Sequence, residues 1–275
     1  MTCKTRRFAC VPTAASTAFN AVRSRGRVRC IAVLVLGILI VPRVQAEPLD
    51  PEVGRLLERT VEEAENFRKQ LQTVEYEAKM RVREWDGRGR LRGTAKAHAV
   101  VRPGTAQPLT FITREVQGKV RLPAGNKEPE TKEKDVTLQE FAREHRITER
   151  FEFDAGGWEQ IAGQRARRIS FKPKPDQPEK TTADRFLDTI TGSAWVSDEA
   201  KLVKFELRLM RPFQLFWIFA VLQDLTVQYE LITPGQILGE ARVKVLFFLK
   251  TPVYSIRQQH DVDLNNFRPR SRVLL

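Results

Sequence analysis

Between residues 194 and 264 the chain alternates between apolar and polar positions. Val203, Phe205, Leu207 and Leu209 interleave with Lys204, Glu206 and Arg208. Val227, Tyr229 and Leu231 do so with Gln228 and Glu230, and Ala241, Val243 and Val245 with Arg242 and Lys244, Phe247 following in register. A period of two sends each apolar set to one face of a strand. Turn-forming residues separate the runs at 198–201, at Thr233-Pro234-Gly235 and at Thr251-Pro252. The pattern predicts a meandering antiparallel sheet with one apolar face, and that face needs a cover.

A different period runs from Pro51. Val53, Leu57, Val61, Ala64, Phe67, Leu71 and Val74 recur every three or four residues, behind an Asp50-Pro51-Glu52 start. This predicts an amphipathic helix of about six turns whose stripe packs on the sheet. The period then returns to two at Tyr76, Ala78, Met80 and Val82. A turn at 86–89 and a returning strand through Leu91, Ala95, Ala97, Ala99 and Val101 follow. The alanines leave little volume on one face, making room for the helix or for a ligand. Residues 103–129 suggest one or two strands with a turn at Gly118, and 126–134 a polar loop. Thr137 with Glu140 three residues on predicts a capped short helix. A brief strand around Phe151 and Phe153 is expected to close at Gly156-Gly157, before a hairpin over 158–171 and a proline-rich loop over 172–179.

Residues 213–222 (FQLFWIFAVL) break the alternation, being apolar except at Gln214. A run of ten is too short to cross a bilayer, which takes about 20 residues. Pro212 can begin a helix, so the run predicts a buried helix plugging one end of the sheet. The alternative is a hydrophobic lip, Phe213, Phe216, Trp217 and Phe219, touching a membrane surface, a lipid or an acylated partner.

Charge and cysteine change the picture mainly at the N-terminus. The net charge is +13, and the first 46 residues hold eight basic residues and no acid, leaving +5 on the rest. There the signs interleave, as on a solvated sheet exterior, so nucleic acid is not expected as a partner. All three cysteines, Cys3, Cys10 and Cys30, lie in that same segment. An unbroken apolar run at 31–41 follows Arg27 and Arg29 and leads to Val44-Gln45-Ala46. This is the layout of an export signal, residues 1–46, cleaved after Ala46. The mature chain, 47–275, is then cysteine-free, periplasmic or secreted, and soluble.

Candidate chemistry is sparse. No phosphate loop, nucleophile elbow or zinc-protease motif is present. The three histidines, His98, His145 and His260, have no second histidine at ligand spacing and are expected on the surface or on strands. Asp261 and Asp263 share a strand face, where a cation or simple solvation would satisfy them. No metal, cofactor or catalytic residue is expected.

The export signal, the long first helix, two strand-rich halves and a helical plug resemble the LolA-like group of periplasmic lipoprotein-sorting proteins. The resemblance is carried locally by IAGQRARRISFKPKP at 161–175 and GSAWVSDEAKLVKFELRL at 192–209. The chain is more similar still to uncharacterised secreted bacterial proteins of this layout. The resemblance covers roughly residues 50–268. It implies an α+β fold: an incomplete, strongly curved antiparallel β-barrel covered by helices, with an apolar cavity for acyl chains. Phe205, Leu207, Leu209, Val227, Tyr229, Val243, Val245 and Phe247 are the expected lining. Two functions follow, a binding protein for lipid or acylated polypeptide and a sensor or scaffold that binds another protein through the sheet. A hydrolase is the third, and a concave cleft holding His260 near an acid would be its sign.

Overall fold

The computed structural model describes residues 51–105, 108–120, 137–216, 220–233 and 238–270. The expected export signal at 1–46, the expected polar loop at 126–134, Asp50, the expected turn at 234–235 and the segment 217–219 lie outside the described residues. A helix, α1 (Pro51–Leu71), opens this part of the chain. Three strands follow, β1 (Val74–Asp86), β2 (Leu91–Val101) and β3 (Leu109–Gly118), then two short helices, α2 (Leu138–Glu144) and α3 (Ile147–Arg150). Strands β4 (Phe151–Ile161) and β5 (Gln164–Pro173) form a hairpin, and α4 (Thr182–Leu187) precedes β6 (Ile190–Ser197) and β7 (Leu202–Leu209). The last described elements are β8 (Phe213–Phe216), β9 (Ala220–Thr233), β10 (Glu240–Lys250) and β11 (Ser255–Pro269).

These strands make one antiparallel sheet in the order β3-β2-β1-β11-β10-β9-β7-β6-β5-β4, with β8 beside β7 on the edge of β9. The first strand pairs with the last, Val82 opposite His260, so both halves of the chain share one sheet. β3 and β4 are its free edges, and the barrel is not closed. The expected α+β architecture, an incomplete barrel of antiparallel strands with helices, is the one found.

Parity decides what is buried. Phe205 pairs with Ala194 and Tyr229, and Leu207 with Gly192 and Val227, so the alternating apolar sets align across neighbouring strands on the inner face. α1 covers part of that face: Val53, Leu56, Leu57, Val61 and Ala64 join Ile169, Phe171, Phe205, Leu207 and Val227 in one core. Phe171 stands edge-on to Phe151 at 5.7 Å and stacks on Phe205 at 5.9 Å. Gly192 permits this, because a Cβ there would lie 2.1 Å from the Glu206 carbonyl oxygen and 2.6 Å from the Phe171 ring. On the outer face Trp195 lies under Lys204 at 4.4 Å and donates its indole N–H to Glu159.

The short helices are tied down by hydrogen bonds. Thr137 and Glu140 cap α2 reciprocally, as the spacing predicts, and Thr181 and Asp184 do the same for α4. Asp184 also bonds the His145 ring at 2.9 Å, and the Arg150 guanidinium bridges Asp184 and Asp188. His145 is therefore buried at a helix end rather than on the surface or on a strand.

Two local expectations are corrected. The described residues of 213–222 are strand rather than helix: β8 pairs with the start of β9, Phe213 opposite Leu222 and Gln214 opposite Val221. A short run of aromatic and branched residues suits a strand as well as a helix. Pro212 precedes the ladder, where its missing N–H costs nothing. Nor do Gly156-Gly157 close a strand. They sit in a register shift between Ala155 and Trp158, and β4 continues through them.

Candidate functional site: the inner face of the sheet

The eight residues expected to line a concavity do share the inner face, but in two states of cover. Phe205, Leu207 and Val227 are buried in the core beneath α1 and the short helices. Leu209, Tyr229, Val245 and Phe247 pack partly against that core, and Val243 is half-buried beside Tyr229 and Val262. Burial pushes the Tyr229 hydroxyl up to about 12. Beyond β10 the face continues through Val262 on β11, Met80 and Val82 on β1, and the buried alanines 95, 97 and 99 on β2. A surface depression of about 280 Å³ lies elsewhere, lined by Glu179, Arg185 and Gln214 among others.

Of the residues expected at a lip, Phe213 is buried and meets Phe186 edge-on at 5.1 Å. It is core rather than lip. Phe216 ends β8, and Trp217 and Phe219 lie outside the described residues.

One part of the inner face is polar. Glu84 and Gln258 face each other across β1 and β11, and are 2% and 6% exposed. Glu84 Oε2 accepts from Gln258 Nε2 at 2.7 Å, while Oε1 lies 3.5 Å from the Arg92 guanidinium. Gln258 Oε1 is 2.9 Å from His260 Nε2, and the Phe247 ring stacks on the imidazole at 5.8 Å. Burial pulls the His260 pKa down, against the raising pull of Asp261 on the outer face. The alternation of β1 and β11 holds the signal for this cluster, since Glu84, Gln258 and His260 all stand at apolar parity. The pairing itself joins residues 174 positions apart and has no sequence signature.

The remaining candidates are paired. His98 bonds Glu77 at 2.8 Å. Asp261 meets Arg83 at 3.3 Å and Asp263 meets Arg242 at 2.7 Å, so arginines rather than a cation neutralise the outer carboxylates. Among the described residues no group of three or more His, Cys, Asp or Glu side chains is arranged to hold a metal. His260 lies near the acid Glu84, which is one half of the sign of a hydrolase, the other half being a concave cleft. The acid reaches it only through Gln258, and among the described residues no hydroxyl or thiol hydrogen-bonds the imidazole.

The arrangement defines an open antiparallel sheet with a partly filled inner face. No family model matches the chain, and no curated protein matches its sequence. Its structure is similar to a DUF1329 family protein from Desulfovibrio piger, with 10% identity, a TM-score of 0.28, and 78% of this chain and 94% of that one covered. It is similar to a proposed outer membrane lipoprotein-sorting protein domain from Vibrio parahaemolyticus, with 10% identity, a TM-score of 0.30 and the same shares, 78% and 94%. A chain of the Pseudomonas aeruginosa MucA/MucB complex gives 10% identity and a TM-score of 0.24 over 79% and 98%. No functional argument rests on likenesses this slight.

Proposed function

We propose that this is an exported, periplasmic binding protein that holds the alkyl chain of a lipid or acylated polypeptide on the inner face of its sheet and performs no reaction. The observation that carries this reading is the half-buried apolar surface of Tyr229, Val243, Val245 and Phe247, beside the part that α1 already fills. Each buried methylene contributes about 0.8 kcal/mol, so six methylenes against this surface give roughly 5 kcal/mol. The ligand lies beside the buried Phe205, Leu207 and Val227, with Leu209 at the border. Trp217 and its neighbours Phe216 and Phe219 supply the hydrophobic contact to a membrane surface, and Trp217→Ser weakens that contact to vesicles.

Titration with a fluorescent alkyl-chain probe tests the reading. Phe247→Ala is expected to weaken binding several-fold, whereas Val253→Asp, at a position 82% exposed, leaves it unchanged. Saturable binding absent from the wild type sinks the reading. The export step is tested separately by sequencing the mature N-terminus, expected at Glu47.

A second reading has its own observation. β3 is a free edge strand with Thr110 and residues 112–119 exposed, and an extended segment of a partner protein can add to such an edge. In that case the β3 amides gain protection from hydrogen exchange when partner is present, and the alkyl probe does not compete.

A further inference from the structure

The hydrogen bonds of the Glu84–Gln258–His260 chain can run in only one direction. A carboxylate accepts and does not donate, so Glu84 takes the amide N–H of Gln258. The amide oxygen is then turned to His260 and accepts from Nε2–H. Burial lowers the imidazole pKa and so favours the neutral ring at neutral pH, and in that form its second nitrogen, Nδ1, bears a lone pair. That nitrogen makes no hydrogen bond among the described residues. Its neighbours across the sheet are Val82 and Val245, with Phe247 against the ring. A core built only for stability would place an aliphatic side chain here, as β9 and β10 do with Val227 and Val245.

We propose that His260 Nδ1, oriented by Glu84 and Gln258, anchors the polar end of the bound amphiphile and selects an alkyl chain that ends in a neutral hydrogen-bond donor, a hydroxyl or an amide N–H. This rests on the alkyl-binding reading above and adds the head group to it. A carboxylate end has no proton to give Nδ1, and it brings a second negative charge to the face that already holds Glu84. An ether or ester end has acceptors only. The alkyl chain runs from His260 over Val245 and Val243 towards Tyr229, the residues left half-buried.

The test is calorimetric titration of the purified protein with four ligands of equal chain length: dodecanol, dodecanamide, dodecyl methyl ether and dodecanoate. One added neutral hydrogen bond predicts that the alcohol or the amide binds about five- to tenfold tighter than the ether. Dodecanoate binds no better than the ether. Whichever donor arm is tighter identifies the head group as hydroxyl or amide. In His260→Phe the alcohol and amide fall to the level of the ether, whose own affinity is kept. A role for His260 in packing alone would weaken all four ligands together, and that result overturns the anchor. Should His260→Phe fail to fold, the wild-type series still decides. If the ether binds and neither donor ligand is tighter, the anchor is wrong and alkyl binding stands. If none of the four binds, both proposals fall.

Discussion

Replacing Arg150 with alanine should cost about as much stability as truncating a fully buried aliphatic side chain. The Arg150 side chain is 3% exposed and links three segments. It donates to the carbonyls of His145 and Asp184, each at 3.3 Å, and to Pro178 at 2.8 Å. It also bridges the carboxylates of Asp184 and Asp188, whose side chains are 5% and 10% exposed. Alanine leaves both carboxylates buried without their cation. Breaking a buried pair in this way costs about 3–5 kcal/mol, a large share of the roughly 5–15 kcal/mol that holds a domain folded. With a urea dependence of about 3 kcal/mol per molar, the unfolding midpoint falls by roughly 1–1.7 M. Circular dichroism during urea titration reads this directly. Arg150→Lys recovers little, since an ammonium cannot reproduce the forked contacts. Arg150→Ala/Asp188→Ala recovers part of the loss by removing one stranded charge. A midpoint shift below about 0.3 M for Arg150→Ala would refute the view that this guanidinium fastens α2, α3 and α4 together.

Three further outcomes follow from local geometry. Gly192→Ala forces a Cβ to 2.1 Å from the Glu206 carbonyl oxygen, so it lowers the melting temperature by several degrees, and an unchanged melting curve would contradict the packing of Phe171 over β6. At Asp184 burial raises the pKa, but bonds from His145 and Thr181 and the charge of Arg150 outweigh it and hold the carboxyl below its usual range. The stability it contributes is present above about pH 4 and is lost as the pH falls through its folded value; Asp184→Asn flattens that acid limb in pH-dependent urea titrations. Tyr229 is displaced the other way, up to about 12, so the unfolded chain loses this proton first and stability drops as the pH rises above about 10. Tyr229→Phe removes that part of the alkaline loss, and it also removes a late tyrosinate absorbance change that the wild type shows in a spectroscopic titration.

Most of the sheet was legible because a strand with one buried face writes its parity into the sequence. Val203 to Leu209 and Val227 to Leu231 read this way, and α1 wrote its longer period between Val53 and Ala64. The Thr137 cap was legible because its two partners are local. Residues 213–222 misled because a ten-residue apolar run has no period to distinguish strand from helix. Gly156-Gly157 misled because a glycine in a bulge and a glycine in a turn look alike in a single chain. The polar cluster stayed hidden for a different reason. Glu84 and Gln258 interrupt apolar parity on strands far apart in sequence, and only the β1–β11 register brings them together. Likewise, the buried Arg150–Asp184–His145 group is assembled from a helix end, a short helix and a cap, none of which announces burial.

Lipid mass spectrometry on protein purified under native conditions reads out whether the inner face holds a single-chain amphiphile. The proposed binding function requires about one alkyl-chain molecule per protein, with a hydroxyl or amide head group. That molecule is depleted in Phe247→Ala, while His260→Phe broadens the range of head groups carried. Protein that emerges free of lipid, and that takes up no alkyl chain when offered one, would contradict it.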